Sequence, residues 1–196
     1  MTFPVAQLGS AHAKHLVTEY LASDLPTRLI NYRNAWALDD ITLPDPALYL
    51  TYEPIALDVW PTIITVAIST KDITRMGYVG SMNPEYQVTY SMRTYVWVRT
   101  EGSQACTEMR DRLTTVVRSS LLDGACMTSE GFTHSTPARI EEGNMTEEFS
   151  DLTLLKGDRV LSGAYIGYDI IMMESELRGS TLPNVSSFTI DPVLNS

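Results

Sequence analysis

Cysteine is scarce in this sequence, which holds only Cys106 and Cys126 among its 196 residues. Two cysteines so far apart form neither a disulfide framework nor a CxxC redox or zinc motif. Cys106 also falls on the apolar side of a predicted helix. We therefore expect both thiols to be reduced and to take no part in chemistry.

Long apolar runs are also missing, although 44% of the residues are hydrophobic. No stretch reaches the roughly 18 consecutive apolar residues that a membrane span requires. Residues 1–7 lack the basic cluster and apolar run of a secretory signal. The sequence therefore predicts a protein made in the cytoplasm, with no membrane partner and a sizeable core.

Basic residues are few, with 14 Lys and Arg against 24 Asp and Glu, and the formal net charge is −10. General nucleic-acid binding depends on Lys and Arg side chains that neutralise phosphates. The composition therefore argues against a surface that grips DNA.

Motifs for catalysis or metal binding are weak. His12, His15 and Glu19 share a helix face, but the HExxH order is absent and zinc needs further ligands. Adjacent acids such as Asp39 and Asp40 are more typical of solvated turns than of paired catalytic carboxylates. The sequence thus predicts no catalytic residue, no metal site and no cofactor, and a small enzyme using these groups stays a minor alternative.

The strongest structural signal is a strand with two different faces from Tyr86 to Arg99. Its length is roughly twice that of a common strand, so we expect a neighbouring subunit to cover part of it. One side carries Val88, Tyr90, Met92, Thr94, Val96 and Val98, and the other carries Gln87, Thr89, Ser91, Arg93, Tyr95, Trp97 and Arg99.

Helical periodicity occurs in the sequence both before and after the long predicted strand. Ser103 is expected to cap a helix that ends at Gly124 and buries one apolar face. That face comprises Cys106, Met109, Leu113, Val116, Val117 and Leu121, with Ala105 as a further candidate. Ser10 is available as the N-cap of a first helical piece. Asp24 can cap a second piece with Pro26 near its first turn, and a kink or a turn is expected between the two.

The remaining segments complete a mainly antiparallel sheet. Residues 63–69 predict a strand paired with the long one, and 71–84 a loop or a wide hairpin connection. Residues 160–176 predict either two strands or one bent strand, with Gly163 and Gly167 as candidate bulge positions. We therefore expect a single α+β domain over residues 1–177, with an N-terminal helical segment and one amphipathic helix on a sheet face. Residues 127–158 form an acidic loop insertion in this prediction, read as a projecting hairpin or loop. Residues 178–196 form a C-terminal extension with enough apolar side chains to dock.

The order of these elements resembles the tail terminator and related head-tail connector proteins of long-tailed, siphophage-like bacteriophages. The part that carries the resemblance runs from Tyr86 through Trp97, Val98 and Arg99 into the helical residues 108–113. The resemblance implies a non-enzymatic virion protein, a homo-oligomeric ring that is typically a hexamer. Such a ring sits at the head-proximal end of the tail, ends polymerisation of the tail tube and joins tail to head.

The resemblance also implies partners and surfaces. The partners are other copies of the chain, the tail tube protein and a head-completion or connector protein, while DNA passes through the ring without specific binding. We expect the subunit interface to include Tyr95, Trp97 and Arg99. The residues expected to face the lumen or the tube are Glu141, Glu142, Glu147 and Glu148. A tail tube subunit, a head-completion protein and a small binding module remain alternatives.

Overall fold

The computed structural model describes residues 9–79, 83–124, 138–149, 154–156 and 159–175. In this part of the chain, two helices accompany a mostly antiparallel sheet of order β1-β2-β3-β6-β4, with β5 also paired to β6, which confirms the predicted α+β class. The elements are α1 (Ser10–Trp36), β1 (Leu48–Leu50), β2 (Thr62–Val79), β3 (Asn83–Thr100), α2 (Ser103–Asp123), β4 (Arg139–Phe149), β5 (Leu154–Lys156) and β6 (Arg159–Ser175).

The central strand β3 has the two faces that its alternation predicts. The six residues from Val88 to Val98 at every second position are buried, whereas the alternate residues from Gln87 to Arg99 are only partly buried. The apolar members of the buried face share one core with the leucines of α1 and the apolar side of α2. Both helices therefore pack on the same face of the sheet. No helix of the described residues is long and apolar enough to span a membrane.

The first helix is continuous, so no turn separates the two predicted helical pieces, and its N-cap is Gly9 rather than the predicted Ser10. Pro26 lies inside α1 and its side chain is exposed. An internal proline costs about 3 kcal/mol, but the fully buried Leu21, Leu25 and Leu29 continue across it, each worth about 1.5 to 3 kcal/mol. Asp24 is not an N-cap. Its carboxylate instead accepts hydrogen bonds from Arg28 (2.6 Å) and from Ser120 of α2 (2.6 Å).

The second helix has the predicted apolar face and ends at Gly124 as expected. Its N-cap is Gly102, so Ser103 is the first helical residue and its side chain makes no cap hydrogen bond. The sequence pattern did not predict the burial of Arg110. This side chain donates to Ser162 Oγ (3.1 Å), pairs with Asp111 (2.7 Å) and lies 5.1 Å from the centre of the Phe149 ring.

Of the loop and the wide hairpin connection predicted over residues 71–84, the loop is wrong, because most of these residues belong to two long antiparallel strands. β2 reaches Val79 and β3 begins at Asn83, and these two residues pair with each other. Register shifts between Ala67 and Ser69, between Thr70 and Asp72, and between Arg75 and Gly77 accommodate irregular residues without ending the strand. The connection between the two strands is therefore limited to residues 80–82, which lie outside the described part.

The last strand has the predicted length but is more regular than predicted. β6 pairs with β3 without any shift from Glu85↔Ser175 to Thr100↔Val160, so neither Gly163 nor Gly167 forms a bulge in that pairing. The irregularity lies in β4, where Glu142–Met145 bulge between the pairs Glu141↔Asp169 and Thr146↔Gly167.

For the predicted acidic insertion, the loop alternative is wrong over Arg139–Phe149, because these residues form β4. A strand forms here because β6 supplies hydrogen-bonding partners for the residues of β4 both before and after its bulge. The other described residues of the predicted insertion are Ala138 and those of β5. Its remaining parts, Cys126 and the extension 178–196 lie outside the described residues.

Candidate assembly surface

The sheet face opposite the helices carries a group of aromatic and charged side chains, which we call the aromatic face. It comprises Arg93, Tyr95 and Trp97 of β3, Tyr165 of β6 and Glu148 of β4. Strand alternation places them together, because Tyr95 pairs with Tyr165 and Glu148 pairs with the same tyrosine from the other side. Three adjacent strands therefore contribute to one surface.

The two tyrosines form the centre of the aromatic face. Their ring centres are 5.5 Å apart with an angle of 55° between the planes, and the guanidinium carbon of Arg93 lies 4.4 Å from the centre of the Tyr165 ring. Tilted ring pairs and cations over rings are each worth about 0.5 to 1.5 kcal/mol beyond area burial. These contacts connect side chains of β3 and β6 on the aromatic face.

Two hydrogen bonds connect the tyrosines of the aromatic face to its charged side chains. The Tyr165 hydroxyl donates to the Glu148 carboxylate, and this bond to a charged acceptor raises the pKa of Tyr165 above its ordinary value. A hydrogen bond between Arg93 and Tyr95 similarly raises the pKa of Arg93. The aromatic face thus places the guanidinium of Arg93 and the carboxylate of Glu148 beside aromatic rings.

Trp97 occupies space that only a glycine leaves open. It pairs with Gly163 of β6, and a methyl group added at Gly163 would lie 2.6 Å from Cζ3 of the indole ring. Real contacts of this kind are longer, so the ring lies flat across β6 only because residue 163 has no side chain. Gly163 was missed as a site residue because its partner is remote in sequence.

Apolar residues of β2 support this surface. Ile64 pairs with Tyr95 and Val66 pairs with Arg93, so both lie on the same face as these residues. Ile64 is 3% exposed and Val66 is 8% exposed, yet neither belongs to the core formed with the helices. The sheet therefore has a second, smaller apolar layer on its aromatic side.

The three residues predicted for the subunit interface share this face. Tyr95, Trp97 and Arg99 alternate along β3 and each is partly buried. Arg93 and Tyr165 belong to the same surface but were not predicted as part of it. The period of two along β3 and β6 was the signal that could have identified them, once the register of the two strands was known.

The four predicted acidic residues do not form one surface. Glu147 points to the helix side, where it accepts a hydrogen bond from Arg118 of α2 (2.8 Å), while Glu148 contacts Tyr165 on the aromatic face. Glu142 is exposed in the β4 bulge, and Glu141 accepts a hydrogen bond from Asn144 within it. Their shared location on a loop was thus a wrong prediction, since a strand alternates its side chains.

A buried charge borders the aromatic face. Asp169 pairs with Ser91 of β3 and is only 3% exposed. Its carboxylate accepts hydrogen bonds from Lys71 Nζ (2.6 Å) and from Asn144 (3.1 Å). This contact connects β2, β6 and the β4 bulge across the sheet.

The histidines considered for metal binding have a different environment. His12 is partly buried near Glu174, and burial lowers its pKa, whereas His15 is exposed. Glu174 accepts hydrogen bonds from the Tyr90 hydroxyl (2.7 Å) and from the Gly9 amide at the start of α1 (3.1 Å). Within the described ranges, no three His, Cys, Asp or Glu side chains are grouped so that they could hold a metal ion.

Comparison with known proteins adds no family assignment, because no family model and no curated protein matches this sequence.

Proposed function

We propose that this chain is a non-enzymatic structural protein of a bacteriophage tail or neck. In this proposal its copies form a closed ring at the head-proximal end of the tail, end polymerisation of the tail tube and join the tail to the head. The observation that carries the proposal is the aromatic face, a preformed surface of Tyr, Trp and Arg side chains on the side of the sheet opposite both helices.

The composition of the aromatic face supports contact with another protein chain. Tyrosine, tryptophan and arginine are enriched at protein interfaces and dominate their binding energy. Tyr95, Trp97 and Tyr165 already make contacts within the subunit. Burying them against a partner therefore costs little further side-chain conformational entropy. This argues for binding through a rigid patch.

A ring also needs a second, different surface on each copy, because successive subunits contact head to tail. Exposed apolar side chains at the C-terminal end of α1 and just after it suit this role. They are Ile30 (54% exposed), Trp36 (40%) and Ile41 (75%). Because α1 packs on the other face of the sheet, this patch and the aromatic face lie on different sides of the domain.

The charge of the chain is compatible with a channel for DNA. Six copies would carry a formal charge of about −60, and a surface of the same sign as DNA does not retain it. Glu142 is exposed, as a residue facing such a channel would be. The partners in this proposal remain the tail tube protein and a head-completion or connector protein.

The proposal is tested by the mass and shape of the purified protein. We expect light scattering to give a single closed oligomer and negative-stain images to show rings with a central hole. Trp97→Ala should shift the mass toward the monomer at equal concentration, whereas Leu122→Ala, at an exposed position of α2, should not. Open-ended tubes would favour a tube subunit instead, and a strict monomer at high concentration would overturn the ring.

A further inference from the structure

The connection between β1 and β2, residues 51–61, carries a fully exposed apolar side chain. We call this connection the β1–β2 loop. Ile55 is completely accessible, and Tyr52 and Val59 of the same loop are also exposed. A group of exposed apolar side chains on one segment marks a contact site for another molecule. The β1–β2 loop is therefore a candidate contact surface, because Ile55 adds nothing to the core of its own subunit.

The β1–β2 loop is also acidic. Glu53 and Asp58 are exposed, and the loop contains no Lys, Arg or His. Neither carboxylate forms an ion pair with a cation of the described residues. Two negative charges without a nearby cation thus lie on either side of Ile55 in the sequence.

The aromatic face has the complementary features. The guanidinium of Arg93 lies over the Tyr165 ring and forms no ion pair with a described carboxylate, since Glu148 accepts the hydroxyl of Tyr165 instead. The indole of Trp97 has one side against Gly163, so its other side is directed away from the sheet. A cation beside apolar rings matches carboxylates beside an apolar side chain, and such complementarity orients partners at an interface.

The β1–β2 loop and the aromatic face lie at different positions along the sheet. The loop follows β1, the outermost described strand on its side, whereas Tyr165 lies on β6, three strand spacings or about 15 Å away. Because Ile55 is fully exposed, it does not rest on the aromatic face of its own subunit. A contact between these two surfaces therefore joins two copies head to tail, as a ring requires.

The β1–β2 loop also adjoins the segment that follows α1. The Ala47 amide donates a hydrogen bond to the Pro61 carbonyl (2.8 Å), which places the end of that segment beside the last residue of the loop. Ile41, one of the exposed apolar residues of the second surface, belongs to this segment. The loop can therefore act together with that surface.

We propose that the aromatic face of each copy receives the β1–β2 loop of the next copy. Ile55 packs against the aromatic rings, and the carboxylates of Glu53 and Asp58 face Arg93. The contact rests on the proposed ring and names the residues that join its subunits. A tail tube protein at the aromatic face is the competing occupant, and the experiments below separate the two.

A crosslink tests which surfaces meet. Ile55→Cys is combined with either Glu148→Cys or Arg93→Cys in a Cys126→Ser background; Cys106 is buried and stays. Added diamide takes up two electrons and two protons as each pair of thiols forms a disulfide. We expect a ladder of chains larger than a dimer from the double variants, whereas the single variants can give dimers at most.

The outcome also separates this contact from the ring itself. Rings that persist without a ladder in either double variant would overturn the contact and leave the ring, with the aromatic face available to another protein. A monomeric unmodified protein at high concentration would overturn both.

A substitution in the loop gives a second test that does not depend on folding. Ile55→Asp removes no contact within the subunit, so the thermal unfolding of the monomer should not change. The concentration at which the oligomer dissociates should rise at least about tenfold. Leu122→Asp is the matched control, because it adds the same charge at an exposed apolar position of α2 and should have little effect. Equal effects of the two variants would overturn the proposal.

A charge exchange tests the polar part of the contact. Arg93→Glu should weaken the oligomer, and so should Glu53→Arg combined with Asp58→Arg. All three substitutions in one chain should restore much of the lost assembly, because opposite charges meet again. A defect that Arg93→Glu causes only inside its own subunit would not be repaired by changes in the loop, so a lack of recovery would overturn the proposed pairing.

Discussion

The indole ring of Trp97 lies across Gly163, at a position where any side chain on residue 163 would overlap it. The contact joins β3 to β6 on the aromatic face. It also gives the face its shape, because the ring could not lie flat over a residue with a Cβ.

We therefore expect Gly163→Ala to lower the free energy of unfolding by about 1 to 3 kcal/mol, as overpacking does. In a Trp97→Ala background the same change should be neutral or stabilising, since alanine loses less backbone entropy than glycine on folding. Urea denaturation of the four proteins measures the difference. Equal costs in both backgrounds would show that the glycine has another role.

The contact of Asp24 with Arg28 and Ser120 predicts a pH-dependent contribution to stability. Burial raises the pKa of Asp24, but the hydrogen bonds from Arg28 and Ser120 outweigh it and hold this pKa below its ordinary value. The stabilisation is therefore present above the ordinary pKa of an aspartate and is lost as the pH falls through the lowered one.

Asp24→Asn should consequently lower the free energy of unfolding by about 1 to 3 kcal/mol at pH 7. The difference from the unmodified protein should shrink below about pH 4. Asp123→Asn is the control, because Asp123 also pairs with Arg28 (2.6 Å) but is exposed and should contribute less. A difference that is constant from pH 7 to pH 3 would contradict this assignment.

Buried tyrosines predict a loss of stability in alkali. Burial raises the pKa of Tyr49 to about 12 and also raises that of Tyr168, whose hydroxyl hydrogen-bonds to Thr94 (2.9 Å). Both hydroxyls are protonated in the folded protein at pH values where they ionise in the unfolded chain. Their stabilisation is present below about pH 10 and is lost as the pH rises above it.

Tyr49→Phe should therefore make the decline in unfolding free energy between about pH 10 and pH 12 shallower. Thermal unfolding across this range measures the slope. Tyr52→Phe is a suitable control, since Tyr52 is 60% exposed. Identical slopes for the unmodified protein and Tyr49→Phe would contradict the prediction.

The pairing of Lys71 with Asp169 predicts a strong interaction between two substitutions. Lys71→Met leaves the carboxylate of Asp169 buried without its cation. Because the Lys71 side chain is itself 53% exposed, we expect a cost of about 1 to 3 kcal/mol. Adding Asp169→Asn to Lys71→Met should recover part of that loss, because no uncompensated charge remains. Chemical denaturation of the double-mutant cycle tests this coupling, and additive effects would exclude it.

Much of this fold was predictable where a regular pattern continues for many residues. The alternation from Val88 to Val98 and the apolar side of α2 from Cys106 to Leu121 were confirmed, because each repeats one period over several turns or pleats. These two elements also define the sheet face on which the helices pack.

The errors have a common physical origin in contacts between residues distant in sequence. α1 continues through Pro26 while Arg28 binds Asp123 of another helix, and β4 forms where the edge of β6 accepts it. Likewise, the role of Gly163 depends on Trp97. No local pattern contains the partner, so local propensity predicted a turn, a loop and a bulge at these positions.

The unbroken pairing of β3 with β6 limits how this protein can change. Inserting or deleting one residue in the middle of β6 would shift every later pair by one position and exchange inward for outward side chains. Such a shift would place Ile166 on the aromatic face and Tyr165 in the core, and it would damage the packing on both faces of the sheet. Variation in length is therefore confined to the ends of these strands and to their connections, and the paired segments accept only substitutions.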